Sequence, residues 1–462
     1  MKFDTKNLFL KSDLARALFE KVAGLPIVDY HNHLDASAIA ADSPVNSAAK
    51  LWVVSDPYKH RAMRLNGVCE REISGGAADS EKFAAWARTL PKTWGNPLFH
   101  WSMMEAQRFF DCDEVLCPEN ADELMRKFDA HLAAENTTVN SVLRSMNVET
   151  LCTSDDLLAD VSVHKAATAK AGTFAVLPSL RADSIFSFGL PTFKDWFAKL
   201  RKFGAVKNLD GYLGVLKLRL DAFSDASCRL ADHSLDNGFA YVSASKDAAE
   251  RAFAAVLDGS ADGRDTVLLK SYLLRELAVE YSRRGWVLQL HIGAERYTSS
   301  RLRALAGAAG GYASIGRTCD ISSLARFLDD ADTGGGLPKT VLYTLNPADN
   351  CAFATLSGSF SRDGVAPLVQ FGPAWWYNDH LDGIRSQMRA LAAYGLLANF
   401  IGMTTDSRSI LSFSRHEYFR RILCEFLASA AERGEIPADF DFLSKAAADI
   451  SYFNSKNWIF RL

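Results

Sequence analysis

The stretch LPIVDYHNH, residues 25–33, is a short apolar run that becomes polar at its C-terminal end. It follows Gly24, which ends a helical pattern over residues 12–23. A run of this length and composition predicts a buried β-strand. The same order of a helix followed by a strand occurs at residues 266–293, where a helical pattern ends at Gly285 and the run WVLQLHIG follows. The sequence is therefore built from helices alternating with apolar strands.

Eight runs of this kind are spread along the chain, and most end in His, Asn, Ser or Thr. They are LPIVDYHNH (25–33), VETLCTS (148–154), FAVLPSL (174–180), CRLADHS (228–234), WVLQLHIG (286–293), TVLYTLN (340–346), PLVQFG (367–372) and NFIGMTT (399–405). Apolar strands that alternate with helices indicate a parallel sheet, and eight of them predict closure into a (β/α)8 TIM-type barrel of the α/β class. In such barrels the active site lies at the C-terminal ends of the strands, where these polar residues stand.

The interval between the first two strands is too long for a single βα connection. It contains two helical patterns, SEKFAAWARTL (80–90) and NADELMRKFDAHLAAEN (120–136). We therefore predict a mainly helical insertion over residues 35–145 that covers the barrel mouth. The catalytic barrel would then comprise residues 1–34 and 146–462.

The composition and charge of the chain indicate which kinds of molecule it can bind. The 462 residues are 48% hydrophobic and 23% charged, with a formal net charge of -3 and no block of Lys or Arg. Nothing in this composition favours binding to nucleic acid or to an anionic membrane surface, so a small-molecule substrate is the default expectation. The N-terminus lacks a signal peptide pattern, no segment is long enough to span a bilayer, and the eight cysteines form no CxxC pair. We expect a soluble cytoplasmic protein with reduced thiols.

His31 and His33 lie at the end of the first strand, and residues two apart in a strand point to the same face. Both imidazoles can therefore converge on one ion or one substrate, although a purely structural pair is the alternative. Asp406 follows the eighth strand and offers an oxygen ligand or a general base. In extended backbone, Arg408 would point to the same face as Asp406, and its planar guanidinium is suited to binding a carboxylate through two hydrogen bonds. The alternative is that Asp406 and Arg408 belong to a loop held by a salt bridge.

Four further strand ends carry candidate residues. His291 can serve as another ligand or a substrate contact, or be a core histidine bonded to backbone. Arg181 suits an anionic substrate group, with a surface cation as the alternative. Trp375 and Trp376 fit stacking on a sugar face, or core packing. His233 is as consistent with capping a helix as with function.

With these residues in place, the chain resembles the uronate (glucuronate) isomerase family, a branch of the amidohydrolase superfamily. The resemblance runs from end to end. The stretches that carry it are DYHNHL (29–34), DPYKHRAMRLNGV (56–68), GNPLFHW (95–101), QLHIGA (289–294), LYTLNPADN (342–350), VQFGPAWWYND (369–379) and GMTTDSRSILSFSRHEYFRRILC (402–424). The chain departs from the family pattern at Pro57, Leu180 and Ala313, where the family has His, Trp and Asp.

The resemblance implies a distorted barrel like that of metal-dependent hydrolases. It also implies interconversion of D-glucuronate with D-fructuronate and of D-galacturonate with D-tagaturonate. Carried over, it makes His31, His33 and Asp406 the metal site, with His291 nearby. Tyr58 becomes a catalytic phenol on the insertion, a role that only the resemblance supplies.

By the same resemblance, Arg181 and Arg408 hold the substrate. We also assign His291 and Trp375 to substrate binding. Two imidazoles and one carboxylate suggest a divalent ion, with Zn²⁺ as our choice and no organic cofactor. Because isomerisation adds no water, an ion that is weakly bound or dispensable for the reaction is the alternative. We further expect a homo-oligomer.

Aldose–ketose isomerisation moves a proton from C2 to C1 and another between the two oxygens, so it needs a base and an acid. Our hypothesis is that Asp406 and Tyr58 share these transfers, while His31 and His33 hold the ion or orient the sugar oxygens. The main alternative is a metal-dependent hydrolase on the same barrel, although no bridging Lys is evident at a middle strand end. A catalytically silent binding protein of the same fold is the other.

Overall fold

The computed structural model describes residues 1–235, 237 and 239–461, and it contains a curled parallel sheet surrounded by helices. The seven strands of the sheet are hydrogen-bonded in the order β1-β2-β3-β4-β5-β8-β9. Two short strands, β6 and β7, form a separate antiparallel ribbon. The strands are β1 Ile27–Asp29, β2 Val148–Asp156, β3 Ala175–Arg181, β4 Leu230–Leu235, β5 Val287–Ile292, β6 Ala294–Glu295, β7 Ser314–Ile315, β8 Thr340–Thr344 and β9 Val369–Phe371.

Helices connect successive strands and cover the outside of the sheet. They are α1 Asp13–Val22, α2 Ala36–Ala41, α3 Pro57–Leu65, α4 Asp79–Ala87, α5 Pro97–Phe110, α6 Ala121–Ala134, α7 Val139–Ser145, α8 Val163–Ala171, α9 Pro191–Leu200, α10 Leu209–Asp225, α11 Lys246–Asp258, α12 Gly263–Arg283, α13 Ser300–Ala306, α14 Ile321–Thr333, α15 Asn350–Ser357, α16 Leu381–Tyr394, α17 Ser414–Glu432, α18 Phe440–Ala448 and α19 Asn454–Phe460. Within the described residues, none of these helices is both long and apolar enough to cross a membrane.

Local sequence explains where these elements begin and end. Ser12 caps α1 by accepting a hydrogen bond from the backbone of Ala15, and Asp262 caps α12 in the same way. All residues of β5 and β8 are buried, as expected for the central strands of a parallel sheet covered on both faces. The α/β barrel architecture predicted from the sequence is confirmed.

The eighth predicted strand is the one element that the structure corrects. Residues 399–405, all of them described, form no regular strand. Gly402 has a positive φ of 71°, and a side chain there would approach the carbonyl oxygen of Ile450 to 2.2 Å. The left-handed backbone at this glycine interrupts the extended conformation that a strand needs.

Hydrogen bonds close the barrel where the eighth strand is missing. The backbone N–H of Asp406 donates to the carbonyl of His31 at 3.0 Å, and that of His33 donates to the carbonyl of Ser407 at 2.9 Å. Beneath them, the buried carboxylate of Asp29 accepts hydrogen bonds from both hydroxyls of Thr404 and Thr405. The segment after residue 402 is thus fixed against β1 by side chains as well as by backbone.

Six helices, α2 to α7, stand between β1 and β2. They pack on the rest of the chain at several points, including contacts of α2 with α8 and of α5 with α17. The division into a barrel (1–34 and 146–462) and an insertion (35–145) stays a prediction. Leu462, the last residue of that barrel range, lies outside the described residues.

Candidate active site

A cavity of about 620 Å³ opens at the C-terminal ends of the strands. Every site residue predicted from the sequence contributes to its wall, although these residues come from six separate parts of the chain. They are His31, His33, Tyr58, Arg181, His291, Trp375, Asp406 and Arg408. The volume and the mixture of charged and aromatic walls fit a small polar ligand.

Two imidazoles and one carboxylate meet at the centre of this cavity. Nε2 of His33 lies 2.9 Å from Oδ1 of Asp406, and Nε2 of His31 lies 3.3 Å from the same oxygen. One ligand atom from each of the three residues falls within 4.8 Å of the others. The imidazole pair from the first strand and the aspartate from near the end of the chain therefore share one centre.

The conformation of Asp406 is held by its neighbours. Its φ is 45°, in the left-handed region that aspartate adopts only at some cost. Its backbone bond to His31 and the indole N–H of Trp375, which donates to Oδ2 at 2.6 Å, fix the carboxylate. Trp375 is 5% exposed, so this hydrogen bond, rather than an open ring face, is its main polar contact in the structure.

A second group of possible ligands adjoins the first, and the sequence analysis missed one of its members. His31, Asp232 and His291 also bring ligand atoms within 4.8 Å of one another. Asp232 Oδ2 lies 3.6 Å from Nδ1 of His31. In the described part of the chain, His31 Nδ1, Asp232 Oδ1 and His291 Nε2 are buried without a hydrogen-bond partner. Buried polar atoms without partners are costly, and these three together indicate a place for an ion, water or substrate oxygen.

Strand alternation would have distinguished Asp232 from His233. Successive strand residues point to opposite faces, so only one of the two can face the His31 cluster. The structure turns Asp232 inward, whereas the Nε2 atom of His233 lies 3.1 Å from the hydroxyl of Tyr281 on α12. His233 is buried, and burial lowers its pKa to about 4. It is therefore a neutral histidine that packs between the sheet and a helix.

The donor atoms fit a divalent ion. Two imidazole nitrogens and a carboxylate oxygen form a usual ligand set for catalytic metals in proteins. Burial lowers the pKa of His33 to about 4 despite the opposing hydrogen bond to Asp406, so this imidazole is neutral, the form that binds metal. Burial alone would raise the pKa of Asp406, but the hydrogen bonds from His31 and His33 hold it well below its usual range.

Two guanidinium groups face this centre, one with an acidic partner and one without. Arg181 pairs with Asp183 through a 2.8 Å hydrogen bond from Nε. Arg408, by contrast, forms no ion pair or hydrogen bond with any residue that the structure describes. Burial lowers the pKa of Arg408, and the nearby charge of Arg181 acts in the same direction. An unpaired guanidinium in a cavity is well placed to receive an anionic ligand.

Tyr58 reaches the cavity from the first turn of α3. Asp56 caps this helix by accepting a hydrogen bond from the backbone of Tyr58 at 2.9 Å, and Pro57 occupies the first helical position, which proline favours. Among the described residues the phenol hydroxyl has no hydrogen-bond partner. Burial raises the pKa of Tyr58 well above its usual range, although the charge of Arg415 opposes this shift.

The three departures from the family pattern occupy different environments. Pro57 lies in the cavity wall beside Tyr58. Leu180 is fully buried in β3. The carbonyl oxygen of Ala313, also in the wall, accepts hydrogen bonds from Arg61 and from the hydroxyl of Tyr377. Pro57 and Ala313 therefore bear on the shape of the cavity, and Leu180 on the packing behind it.

A cluster of imidazoles and carboxylates that could hold a metal ion, at the C-terminal ends of the strands of a parallel barrel, is the arrangement found in active sites of α/β-barrel enzymes. The family model for glucuronate isomerase matches residues 1–459. The chain belongs to the glucuronate isomerase family.

Individual relatives are similar to this chain over nearly its full length. The chain is 39% identical over 462 residues to a uronate isomerase of Lachnoclostridium phytofermentans, covering 99% of each chain. It is 40% identical over 466 residues to one of Serratia proteamaculans, covering 99% of this chain and 98% of the relative. The crystal structure of a uronate isomerase from Thermotoga maritima superposes with a TM-score of 0.94 at 30% identity, covering 100% of both chains.

Proposed function

We propose that this chain is an isomerase that interconverts D-glucuronate with D-fructuronate, and D-galacturonate with D-tagaturonate. The observation that carries the proposal is the convergence of a carboxylate, a phenol and two guanidinium groups on one cavity. Uronates are small, polar and anionic, and such a cavity offers them both a carboxylate site and proton-transfer groups. The match to curated uronate isomerases over the whole chain supports the same reaction.

The substrate carboxylate would bind between Arg408 and Arg181. The charge on Arg181 is partly balanced by Asp183, whereas Arg408 is unpaired within the described chain. A guanidinium binds a carboxylate through two parallel hydrogen bonds, which orients the sugar as well as holding it. With the carboxylate fixed at this end, the other end of a hexuronate can lie near His33 and Asp406. His291 and Trp375 would complete the binding surface.

Asp406 and Tyr58 would share the proton transfers. The pKa of Asp406 is held low by its imidazole partners, so it is ionised at neutral pH and can accept a proton. Burial favours the protonated form of Tyr58, which can donate one. Together the two groups would provide the acid and the base that isomerisation requires.

His31, His33 and Asp406 would hold a divalent ion, for which Zn²⁺ is our choice on ligand type. When bound, such an ion would supply a positive charge that polarises substrate oxygens. His33 would in addition orient the sugar oxygens next to Asp406. Because isomerisation adds no water, we do not assign the ion the role of generating hydroxide.

Metal removal provides a direct check. After exhaustive chelation, we expect the metal content to fall below about 0.1 ion per chain and the isomerisation rate to fall at least about tenfold, as expected when substrate oxygens lose a polarising charge. Adding back one equivalent of Zn²⁺ should restore both. The measurements are elemental analysis and initial rates on the same samples. A metal-free sample with an unchanged rate would remove the ion from the chemistry.

The function is tested by incubating the pure protein with D-glucuronate and D-galacturonate and following ketose formation by NMR. We expect ketose from both. The metal-dependent hydrolase alternative, which no comparison favours, predicts release of product only from substrates with a hydrolysable bond. The homo-oligomer and the cytoplasmic location stay predictions from the sequence.

A further inference from the structure

Behind Tyr58 lies a buried ion pair that the proposed reaction has not yet used. Arg415, in the first turn of α17, is 2% exposed, and Asp379 is 3% exposed. Nε of Arg415 donates to Oδ2 of Asp379 at 2.9 Å, and Nη2 bonds the same oxygen. Its third nitrogen, Nη1, has no hydrogen-bond partner in the described chain. The guanidinium is therefore anchored on one edge only.

The rest of the guanidinium contacts aromatic rings. Its central carbon lies 4.5 Å from the ring centroid of Trp101 and 5.7 Å from that of Tyr58. The two rings meet edge to face, with centroids 5.6 Å apart at an interplanar angle of 89°. A cation at this distance from an aromatic ring is attracted to it, and more strongly where water is excluded. The indole, the phenol ring and the guanidinium therefore form a triangle, in which Tyr58 packs beside both the indole and a fixed positive charge.

This arrangement joins the parts of the chain that supply the acid and the base. Tyr58 and Trp101 belong to α3 and α5, in the predicted insertion. Asp379 follows β9 and lies four residues after Trp375, whose indole bonds Asp406. Arg415 is the second residue of α17, the helix that follows the Asp406 segment. A shift of the ion pair would therefore move Tyr58 relative to Asp406.

We propose that Arg415, held by Asp379, is a positioning residue that fixes Tyr58 for proton transfer and stabilises the negative charge that develops on its oxygen. The proposal rests on the proposed function, because it acts through the phenol of Tyr58. A planar guanidinium can bond Asp379 along one edge and support a ring with its face, which an ammonium cannot do.

The charges around Tyr58 explain why a cation is needed there. Asp406, Asp379 and Asp56 all favour the neutral phenol, and Arg415 is the cation that opposes them. When Tyr58 gives up its proton, the new negative charge lies in a largely dry environment where nearby charges act strongly. Asp379 holds the cation in place but partly offsets it. The contacts of Arg415 and the charges around Tyr58 therefore both indicate that Arg415 supports proton transfer by Tyr58.

The test is a double-mutant cycle between Arg415→Lys and Tyr58→Phe, with kcat and KM measured for D-glucuronate. We expect Arg415→Lys to lower kcat about 10- to 100-fold and to leave KM within about threefold, since the substrate does not touch it. Tyr58→Phe should lower kcat about 10³-fold. In the Tyr58→Phe background, Arg415→Lys should change kcat by less than about twofold, because residues that act as one unit are not additive.

Arg420 offers a matched control on the same helix. It is also buried, at 3% exposure, and its guanidinium bonds the backbone carbonyls of Leu25 and Pro26, away from the cavity. Arg420→Lys should keep kcat within about twofold, whatever its effect on the melting temperature. If Arg415→Lys does not fold, Trp101→Phe, which alters the stacking but keeps the ion pair, should lower kcat about fivefold with KM unchanged.

The outcomes are distinct. Equal effects of Arg415→Lys in the wild-type and Tyr58→Phe backgrounds would overturn the positioning role while leaving the proposed function intact. A Tyr58→Phe variant with wild-type kcat would overturn both this inference and the assignment of Tyr58 as the acid. A Trp101→Phe or Arg415→Lys variant that raises KM without lowering kcat would show that the group acts on binding instead.

Discussion

Replacing Asp406 with Asn is expected to abolish turnover, lowering kcat at least about 10³-fold, while the protein stays folded. The amide keeps the shape of the side chain and can still accept the indole hydrogen bond of Trp375. It loses the negative charge that faces His31 and His33 and cannot accept a proton at neutral pH. The base and the oxygen ligand of the ion disappear together.

The measurement is the initial rate of ketose formation, combined with circular dichroism and the melting temperature. Asp349 provides a control, because it is a buried barrel aspartate that accepts hydrogen bonds from Cys319 and Thr344. Asp349→Asn should keep kcat close to the wild-type value. Isomerisation near the wild-type rate by Asp406→Asn would contradict the assignment of the base.

Replacing Arg408 with Gln is expected to raise KM for D-glucuronate about 10- to 100-fold. A charge-assisted hydrogen bond contributes about 1.5–3 kcal/mol, which corresponds to that range. The loss should appear mainly in binding, because Arg408 would contact the carboxylate rather than the carbons that exchange protons. Its lack of any partner in the described chain means that the substitution breaks no internal ion pair.

Arg408→Lys separates charge from geometry. It keeps the positive charge but loses the planar fork that binds both carboxylate oxygens, so its KM should lie between those of the wild type and Arg408→Gln. Both variants should melt within a few degrees of the wild type. An unchanged KM in Arg408→Gln would show that the substrate carboxylate binds elsewhere.

Most of the barrel could be predicted from the sequence, because buried parallel strands leave a strong local signal. The run that ends in His31 and the run that ends in His291 are short, apolar and bounded by glycine, and both become strands. The eighth run, residues 399–405, is similarly short and apolar, but it forms no regular strand. Its backbone is set by Gly402 and by the hydroxyls of Thr404 and Thr405 bonded to Asp29, which are tertiary contacts.

The candidate site was predictable where residues follow strands, and less so elsewhere. Asp232 could have been found from alternation with His233, since only one of two neighbours faces the barrel interior. Tyr58 could not, because the contact between α3 and the barrel mouth depends on packing between distant segments. The pair of Arg415 and Asp379 is beyond sequence reasoning for the same reason, because nothing local to either residue indicates that they meet below Tyr58.

The central claim is that this cavity moves the proton of C2 between two carbons of a uronate. The most direct test is to supply D-glucuronate deuterated at C2 and to follow ketose formation by NMR. The account predicts D-fructuronate, formed several-fold more slowly than from unlabelled substrate, with at least part of the deuterium exchanged so that C1 carries a solvent hydrogen. Equal rates from labelled and unlabelled substrate with all of the deuterium transferred to C1, or no ketose at all from the folded, metal-loaded protein, would contradict it.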